Sequence, residues 1–439
     1  MAWGLAAFAA IALGLGAALA YVFGAAATGA FVVMGQERYL AALPQRLISQ
    51  VDSFTFLAMP LFILAAEMMT RSGVTRALID LAGHIFRNTR GGLGNVNVGT
   101  SVFFAGISGS AVADAAALST TLVPAMEERG YTRRYAAAIT AASAMIGPII
   151  PPSIILIIYG AFMNVSVAAL FAGGILPGLL LGAALIAANV FFAWRDGHPR
   201  GVPEDAPAGR QVILRALPAL ILPVVIVSGI VFGVATPTES AVIAVLAAAG
   251  LSALYLNQDE GLTGRMLWRR VQAIVFSALE RTAILTGAIF AILFASSAAG
   301  YLLAIEGAPA AITGVVAAME LSATGYLVAL LVLLLVMGMI IDVTMALVLF
   351  VPLVAPAAVA LGADPLHLGI LICFTLTLGL ITPPFGACLM IVATVARVPY
   401  ATLAVAVMPF IAVEVVVLGV LTAFPDIVLA LPRALDLWD

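Results

Sequence analysis

Lysine is absent from this sequence. All 19 basic residues are arginine, a coding bias that carries no mechanism. Charge of either sign is scarce: 9% of residues are charged, against roughly a quarter in a soluble domain. That scarcity excludes an ordinary soluble fold. The net charge of −3 offers nothing to a nucleic-acid partner. Three histidines and two cysteines, Cys373 and Cys388, leave no metal-ligand spacing and imply no organic cofactor. The first apolar run, from Ala2 to about Met34, has no basic segment ahead of it, so it reads as a spanning helix and not as a cleaved signal.

What fills the chain instead is hydrophobic, at 64% of residues. Apolar spans fall at roughly 2–34, 52–70, 135–160, 166–194, 212–235, 238–256, 273–304, 366–396 and 400–431. Recurring runs of this kind predict an all-α integral membrane protein that crosses the bilayer many times. Two further segments, 92–127 and 324–362, are too long for one pass. Their middles are glycine-rich or polar, Gly106 to Ser110 and Gly338 to Asp342. Each is expected to form a re-entrant hairpin, whose irregular tip is tolerated only when buried in protein or lining a cavity.

The two halves repeat. Gly106, Pro124, Gly130, Gly147, Pro151 and Pro152 recur 232 residues later as Gly338, Pro356, Gly362, Gly379, Pro383 and Pro384. Helices interrupted at corresponding places in two halves are the best sequence pointer to a secondary transporter's binding site. The expectation is therefore a carrier and not an enzyme. Arg87 and Arg90 precede the first hairpin and Arg129, Arg133 and Arg134 follow it, which places its base in the cytoplasm. Glu306, Glu320 and Asp364 surround the second, which therefore enters from the periplasm, so the repeats are inverted. Residues 36–50 and 268–282 mix charge with apolar residues and read as amphipathic interfacial helices. Arg38 and Arg46 then fall on the periplasmic side, against the charge rule, partly offset by Glu37 and Asp52. The domain reading runs 1–90 (scaffold and arm), 91–165 (hairpin 1 and broken helix), 166–256 (scaffold with a cytoplasmic loop at 195–211), 257–322 (second arm and helix), 323–398 (hairpin 2 and broken helix) and 399–439 (C-terminal helix).

Oxygen donors sit at the interruptions. Ser108 and Ser110 lie at the first hairpin tip, and the Gly147 to Pro152 break frees carbonyls because proline has no N–H. The second half offers Thr344, Thr382 and Asp342 with the Gly379 to Pro384 break. Hydroxyls and freed carbonyls suit a dehydrated monovalent cation. A single Ser-Gly-Ser would read as helix packing; the second copy and the paired proline breaks favour a site. Asp342 is either functional, given the cost of about 2.5–3.5 kcal/mol for an aspartate at the bilayer centre, or an N-cap. Asp114, nearer a helix end, reads as structural, Glu239 as a helix-start residue, and Glu67 and Glu414 as helix-contact residues.

The segments Phe104-Ala-Gly-Ile-Ser-Gly-Ser-Ala-Val-Ala-Asp114, Gly147-Pro-Ile-Ile-Pro-Pro-Ser153, Pro237-Thr-Glu239 and Gly379-Leu-Ile-Thr-Pro-Pro-Phe-Gly386 together resemble the large membrane subunit of tripartite ATP-independent periplasmic (TRAP) transporters. The resemblance covers essentially the full length. It implies an elevator carrier of the ion-transporter superfamily in the bacterial inner membrane, driven by sodium. It further implies a small four-helix membrane subunit and a periplasmic substrate-binding protein as partners, with an organic acid (a C4-dicarboxylate or sugar acid) as substrate and membrane lipid around it. Carried over, one sodium site would involve Ser108, Gly109, Ser110, Gly147, Ile150 and Pro151, and the other Gly338, Asp342, Thr344, Gly379 and Thr382. The substrate pocket is expected from Ser110, Asp114, Ser153, Thr382 and Phe385. No intramembrane arginine is evident to hold a carboxylate, which leaves half-helix N-termini, serines and the ions themselves.

Other classes compete. Gly106-Ile-Ser-Gly109 matches a short intramembrane serine-protease pattern, but that chemistry needs a histidine beside the serine, and only His367 is near a span. A channel would conduct without a binding protein. A stand-alone ion-coupled carboxylate symporter is the closer alternative.

Overall fold

The computed structural model describes residues 19–52, 54–201, 209–308, 310–312, 314 and 322–438. Residues 1–18 of the first apolar run, 202–208 of the polar loop and Glu320 lie outside these. Among the described residues the chain is helical, with a single isolated β-bridge between Arg90 and Arg200. Six helices among the described residues are long and apolar enough to cross a membrane, or up to eight if each sharply bent pair counts as one span.

The first repeat opens with α1 (Leu19–Val33), a 3-10 turn (Glu37–Ala42), the amphipathic α2 (Leu43–Val51) and α3 (Phe54–Thr70). A short amphipathic helix, α4 (Val74–Ile85), follows. Hairpin 1 is α5 (Gly92–Ser108) and α6 (Ala111–Glu128), turned at Gly109 and Ser110. Gly109 takes the left-handed φ of +60° that the turn requires. The broken helix comprises α7 (Arg133–Ser143), a 3-10 turn at Ala144–Ile146, and α8 (Ile154–Met163). Then come α9 (Val167–Arg195) and α10 (Arg210–Val231).

The second repeat runs α11 (Pro237–Glu260), α12 (Gly264–Ile305), hairpin 2 and a second broken helix. Hairpin 2 is α13 (Ala323–Ile340), α14 (Val343–Leu349) and α15 (Val351–Ala360), bent by 58° between the last two. The broken helix is α16 (Pro365–Gly379) and α17 (Ala387–Val395); α18 (Tyr400–Ala423) and α19 (Asp426–Ala434) close the chain. Residues 268–282 are not a separate interfacial helix. They belong to the single 42-residue α12, because no proline or glycine interrupts the chain there. The first arm, by contrast, has Pro44 opening α2 and Asp52 ending it.

Helix starts leave N–H groups without an intrahelical partner. Serine satisfies one at the buried Ser153 and at the exposed Ser166, and the exposed Thr236 and Glu239 form a reciprocal capping box, with the Glu239 carboxylate accepting from Thr236 N–H at 2.7 Å. Glu239 is therefore a helix-start residue. Glu67 pairs with Arg71 one turn away at 3.1 Å.

The helices group into an outer and an inner body in extensive contact. The outer one packs α1 and α3 against α12, α3 against α11, and α10 against α4 and α11. The inner one holds both hairpins and both broken helices; nearly every residue of α16 is buried. α9 packs against α5, α8, α16, α18 and α19 and also against α10, while α4 on α5, α12 on α14 and α3 on α8 join the two bodies. Polar side chains join hairpin 1 to α7. The Asn97 amide donates to Thr140 Oγ1 at 2.6 Å and accepts from Ser143 Oγ at 3.0 Å. Hydrogen bonds of this kind across membrane helices hold close-packed pairs in register.

The loop after α9 folds back over the base of hairpin 1. Gly201 N–H donates to Thr89 O at 2.9 Å, and Gly91 N–H to Pro199 O at 3.3 Å. His198 sits between the rings of Tyr131 and Tyr135, 4.8 and 4.3 Å from their centroids.

Candidate ion and substrate site

Each hairpin tip meets the break in the helix that follows it. In the first half the Gly109 α-carbon faces the Pro152 carbonyl, and Gly106 lies near the Pro151 carbonyl. In the second, Gly338 and Gly379 touch through their backbones: a methyl group on Gly379 would lie 2.6 Å from the Gly338 α-carbon. No side chain fits between them. Both breaks carry a cis Pro-Pro bond, Pro151–Pro152 and Pro383–Pro384.

Around the first break lie Ser108, Gly109, Gly147 and Pro151. Ser108 is buried and accepts from Ser110 N–H at 3.2 Å. Ser110 is the N-cap of α6, accepting from Ala113 N–H at 3.4 Å. Ile150 points away, against Gly178 of α9. The residue that sequence reasoning set apart is the one that completes the group. The Asp114 carboxylate abuts Gly147 and is fully buried; the Ser108 hydroxyl lies close enough to interact with it, and no well-formed hydrogen bond reaches either oxygen among the described residues. It was expected in a structural role or in the substrate pocket; it lies against the glycine at the break. An isolated buried carboxylate is costly unless something compensates it.

Around the second break lie Gly338, Gly379, Thr344, Asp342 and Thr382. Asp342 Oδ1 accepts from Thr344 N–H at 2.8 Å and caps α14. It occupies the place that Ser110 holds in the first repeat, 232 residues earlier. The Thr382 hydroxyl donates to Leu378 O at 2.8 Å, which leaves its oxygen lone pairs free to accept. The two sites are not chemically equal. Asp114 corresponds to Ala346, and Ile150 corresponds to Thr382.

Of the five residues expected to line a substrate pocket, Ser110 and Asp114 share the start of α6 beside the Ser153 backbone, and α17, which follows Thr382 and Phe385, packs on that same helix start, Cys388 Sγ donating to Ala111 O at 3.7 Å. Ser153 is fully buried, donating to the Pro148 carbonyl and capping α8 through Leu156 N–H. Phe385 is exposed and lines a cavity of about 680 Å³ between the hairpin 2 tip and α1 and α12, together with Gly338, Asp342, Tyr21, Gly287 and Met390. Tyr400 fixes the rim, its hydroxyl 2.9 Å from the carbonyls of Pro384 and Phe385. Sequence reasoning missed Tyr21 and Gly287, which no motif marks. Glu414, read as an interface or helix-contact residue, is fully buried in α18, and neither of its oxygens has a hydrogen-bond partner among the described residues.

Among the described residues no histidine is bonded to Ser108. Ser108 bonds to backbone, and His367 Nε2 lies 2.9 Å from Leu421 O. His84 accepts from Gly209 N–H, and His198 stacks on tyrosines.

Residues 5–427 match the family model for the tripartite ATP-independent periplasmic transporter, DctM component. The chain belongs to that family. It is 32% identical over 405 residues to the sialic acid TRAP transporter large permease protein SiaM of Vibrio cholerae, covering 92% of each protein. It is 32% identical over 397 residues to the C4-dicarboxylate TRAP transporter large permease protein DctM of Pseudomonas aeruginosa, covering 90% of each. In fold it is similar to the Alcanivorax borkumensis YdaH transporter, with a TM-score of 0.65 and 15% identity, over 93% of this chain and 98% of that one. This TRAP large permease is thus a multi-pass helical transporter subunit of the bacterial inner membrane.

Proposed function

We propose that this subunit takes up an organic acid, of the C4-dicarboxylate or sugar-acid type, coupled to sodium and by an elevator movement of the inner body against the outer one. One observation carries the reading: both hairpin tips dock on the broken helices, and at the first junction Asp114 is buried against Gly147 beside Ser108, with no basic residue paired to it among the described residues. A carboxylate, a hydroxyl and carbonyls freed by proline are a hard, singly charged donor set, which fits sodium. Asp114, Ser108 and the Gly147–Pro151 backbone would hold one ion. Gly338, Gly379, Thr382 and Thr344 would hold the other with neutral oxygens. A bound cation supplies positive charge that a carboxylate substrate can share.

The chain's own residues do the rest. The caps at Ser110 and Asp342 fix the half-helix starts that face the hairpin tips, and a helix start favours an anion. Phe385, Asp342 and Tyr21 line the cavity between the bodies, where substrate would lie in contact with both. The relatives named for sialic acid and C4-dicarboxylate support an organic-acid substrate. A small membrane subunit and a periplasmic binding protein complete the system, in keeping with the tripartite family description.

The test is uptake into proteoliposomes that contain this subunit and its cognate small subunit, with the binding protein outside. Sodium-dependent accumulation that requires the binding protein is expected. Equal uptake from the isolated large subunit, without binding protein, would identify a stand-alone symporter instead.

A further inference from the structure

The arm helix α2 carries a guanidinium at the end of α3 far from the Arg215–Asp259 pair. Gly73, just past the end of α3, lies beside Asp259, so α2, which precedes α3, lies at the opposite end, the periplasmic one on the charge reading. Arginine there runs against the inward bias of positive charge. Arg46 stacks its guanidinium 4.1 Å from the centroid of the Tyr301 ring, and among the described residues no carboxylate pairs with it, Glu37 and Asp52 included. Stacking uses the face of the group and leaves its N–H donors available.

Beside Arg46 is a cleft of about 370 Å³ between α2, α12 and hairpin 2, lined by Leu47, Phe162, Val348 and Leu353 with Ser49 and Ser297 among them. On the other side of α2 a groove of about 680 Å³ runs along α1 and α12, lined by Gly24, Leu40 and Phe294. The two share Leu43 and Leu47. Thr28 is the main polar side chain in the groove, and its hydroxyl already donates to Gly24 O at 2.8 Å. A small, highly hydrated acid has little to gain from such walls. A headgroup phosphate with acyl chains does.

We propose that Arg46 and the grooves flanking α2 bind an anionic phospholipid, its phosphate on the guanidinium and its chains on either side of the helix. Charge complementarity selects the headgroup, and the paired apolar grooves select a diacyl tail. Because Val348, Leu349 and Leu353 belong to hairpin 2 while Leu43 and Leu47 belong to the arm, the lipid bridges the two bodies. The inference does not rest on the sodium reading.

The experiment is thermal unfolding of the detergent-purified full chain titrated with dioctanoyl phosphatidylglycerol, dioctanoyl phosphatidylcholine or glycerol 3-phosphate. Phosphatidylglycerol is expected to raise the midpoint saturably, with little effect from the other two. Arg46→Gln should weaken the apparent affinity roughly tenfold or more, as loss of a charge-assisted contact does. Ala304→Trp, at the exposed edge of the cleft, should weaken it with Arg46 intact. An equal shift in Arg46→Gln, or an equal shift from phosphatidylcholine, would overturn the proposal. A saturable shift from glycerol 3-phosphate alone would also overturn it, in favour of a site for soluble anions.

Discussion

The carboxylate of Asp114, in the second helix of hairpin 1, lies against the α-carbon of Gly147 in the broken helix that follows. Asp114 is fully buried and Gly147 has no side chain. The pair therefore joins two elements through one acidic group and one bare backbone position. That junction has consequences that can be measured.

Asp114→Asn keeps the volume and removes the charge. The account predicts that it folds, since no basic partner is left unpaired, and that its apparent sodium affinity falls by about tenfold or more, equivalent to at least about 1.4 kcal/mol. Sodium-dependent thermal shifts of the two proteins check this.

Gly147→Ala places a methyl group where Asp114 Oδ2 now lies. Overpacking of this kind costs about 1–3 kcal/mol. In Asp114→Ala the same substitution should cost markedly less, because the obstructing carboxylate is gone. A double-mutant cycle by denaturation reads the coupling directly; additive effects would show that the two residues do not touch.

Gly379→Ala drives a methyl group to 2.8 Å from the Gly338 carbonyl oxygen, and backbone cannot swing aside. Hairpin 2 should separate from α16, with a loss of stability of about 1–3 kcal/mol and loss of transport. Gly419→Ala in α18, which has open space around it, is the control. It should be neutral or stabilising by up to about 1 kcal/mol.

His198 makes the docked cytoplasmic loop sensitive to pH. Burial between the tyrosines holds its pKa below the ordinary imidazole value, with Asp196 raising it and Arg195 lowering it by smaller amounts. The folded loop thus favours the neutral ring. Its contribution is complete above about pH 6.5 and is lost as pH falls below that toward the depressed value. Amide exchange at Gly201, corrected for intrinsic rates, should speed up on going from about pH 7.5 to about pH 5.5, and His198→Phe should abolish the difference.

Much of this was legible in the chain, for identifiable reasons. Glycine and proline at matched spacing located both hairpins and both breaks, because membrane helices can be interrupted only where protein covers the gap. The α4 helix escaped notice because 12 residues carrying Arg76, Asp80 and His84 cannot resemble a span. The division expected within α12 was an argument by symmetry; the second copy lacks Pro44 and Asp52, having Phe276 and Ile284 at those offsets. The contact between Asp114 and Gly147 was not legible because the distance of Asp114 from the helix end was read, and not the element it faces. Glu414 could have been flagged by the rule that flagged Asp342: an acid alone in an apolar helix is functional until shown otherwise.

The central claim is that Asp114 at the first hairpin junction compensates a bound sodium ion. The most direct measurement is the unfolding midpoint of the purified protein as sodium replaces potassium at constant ionic strength. A ligand that binds only the folded state adds about 2.7 kcal/mol at 100 times its dissociation constant. The account predicts a sodium-specific rise in the native chain that Asp114→Asn largely removes. An undiminished sodium response in Asp114→Asn would contradict it.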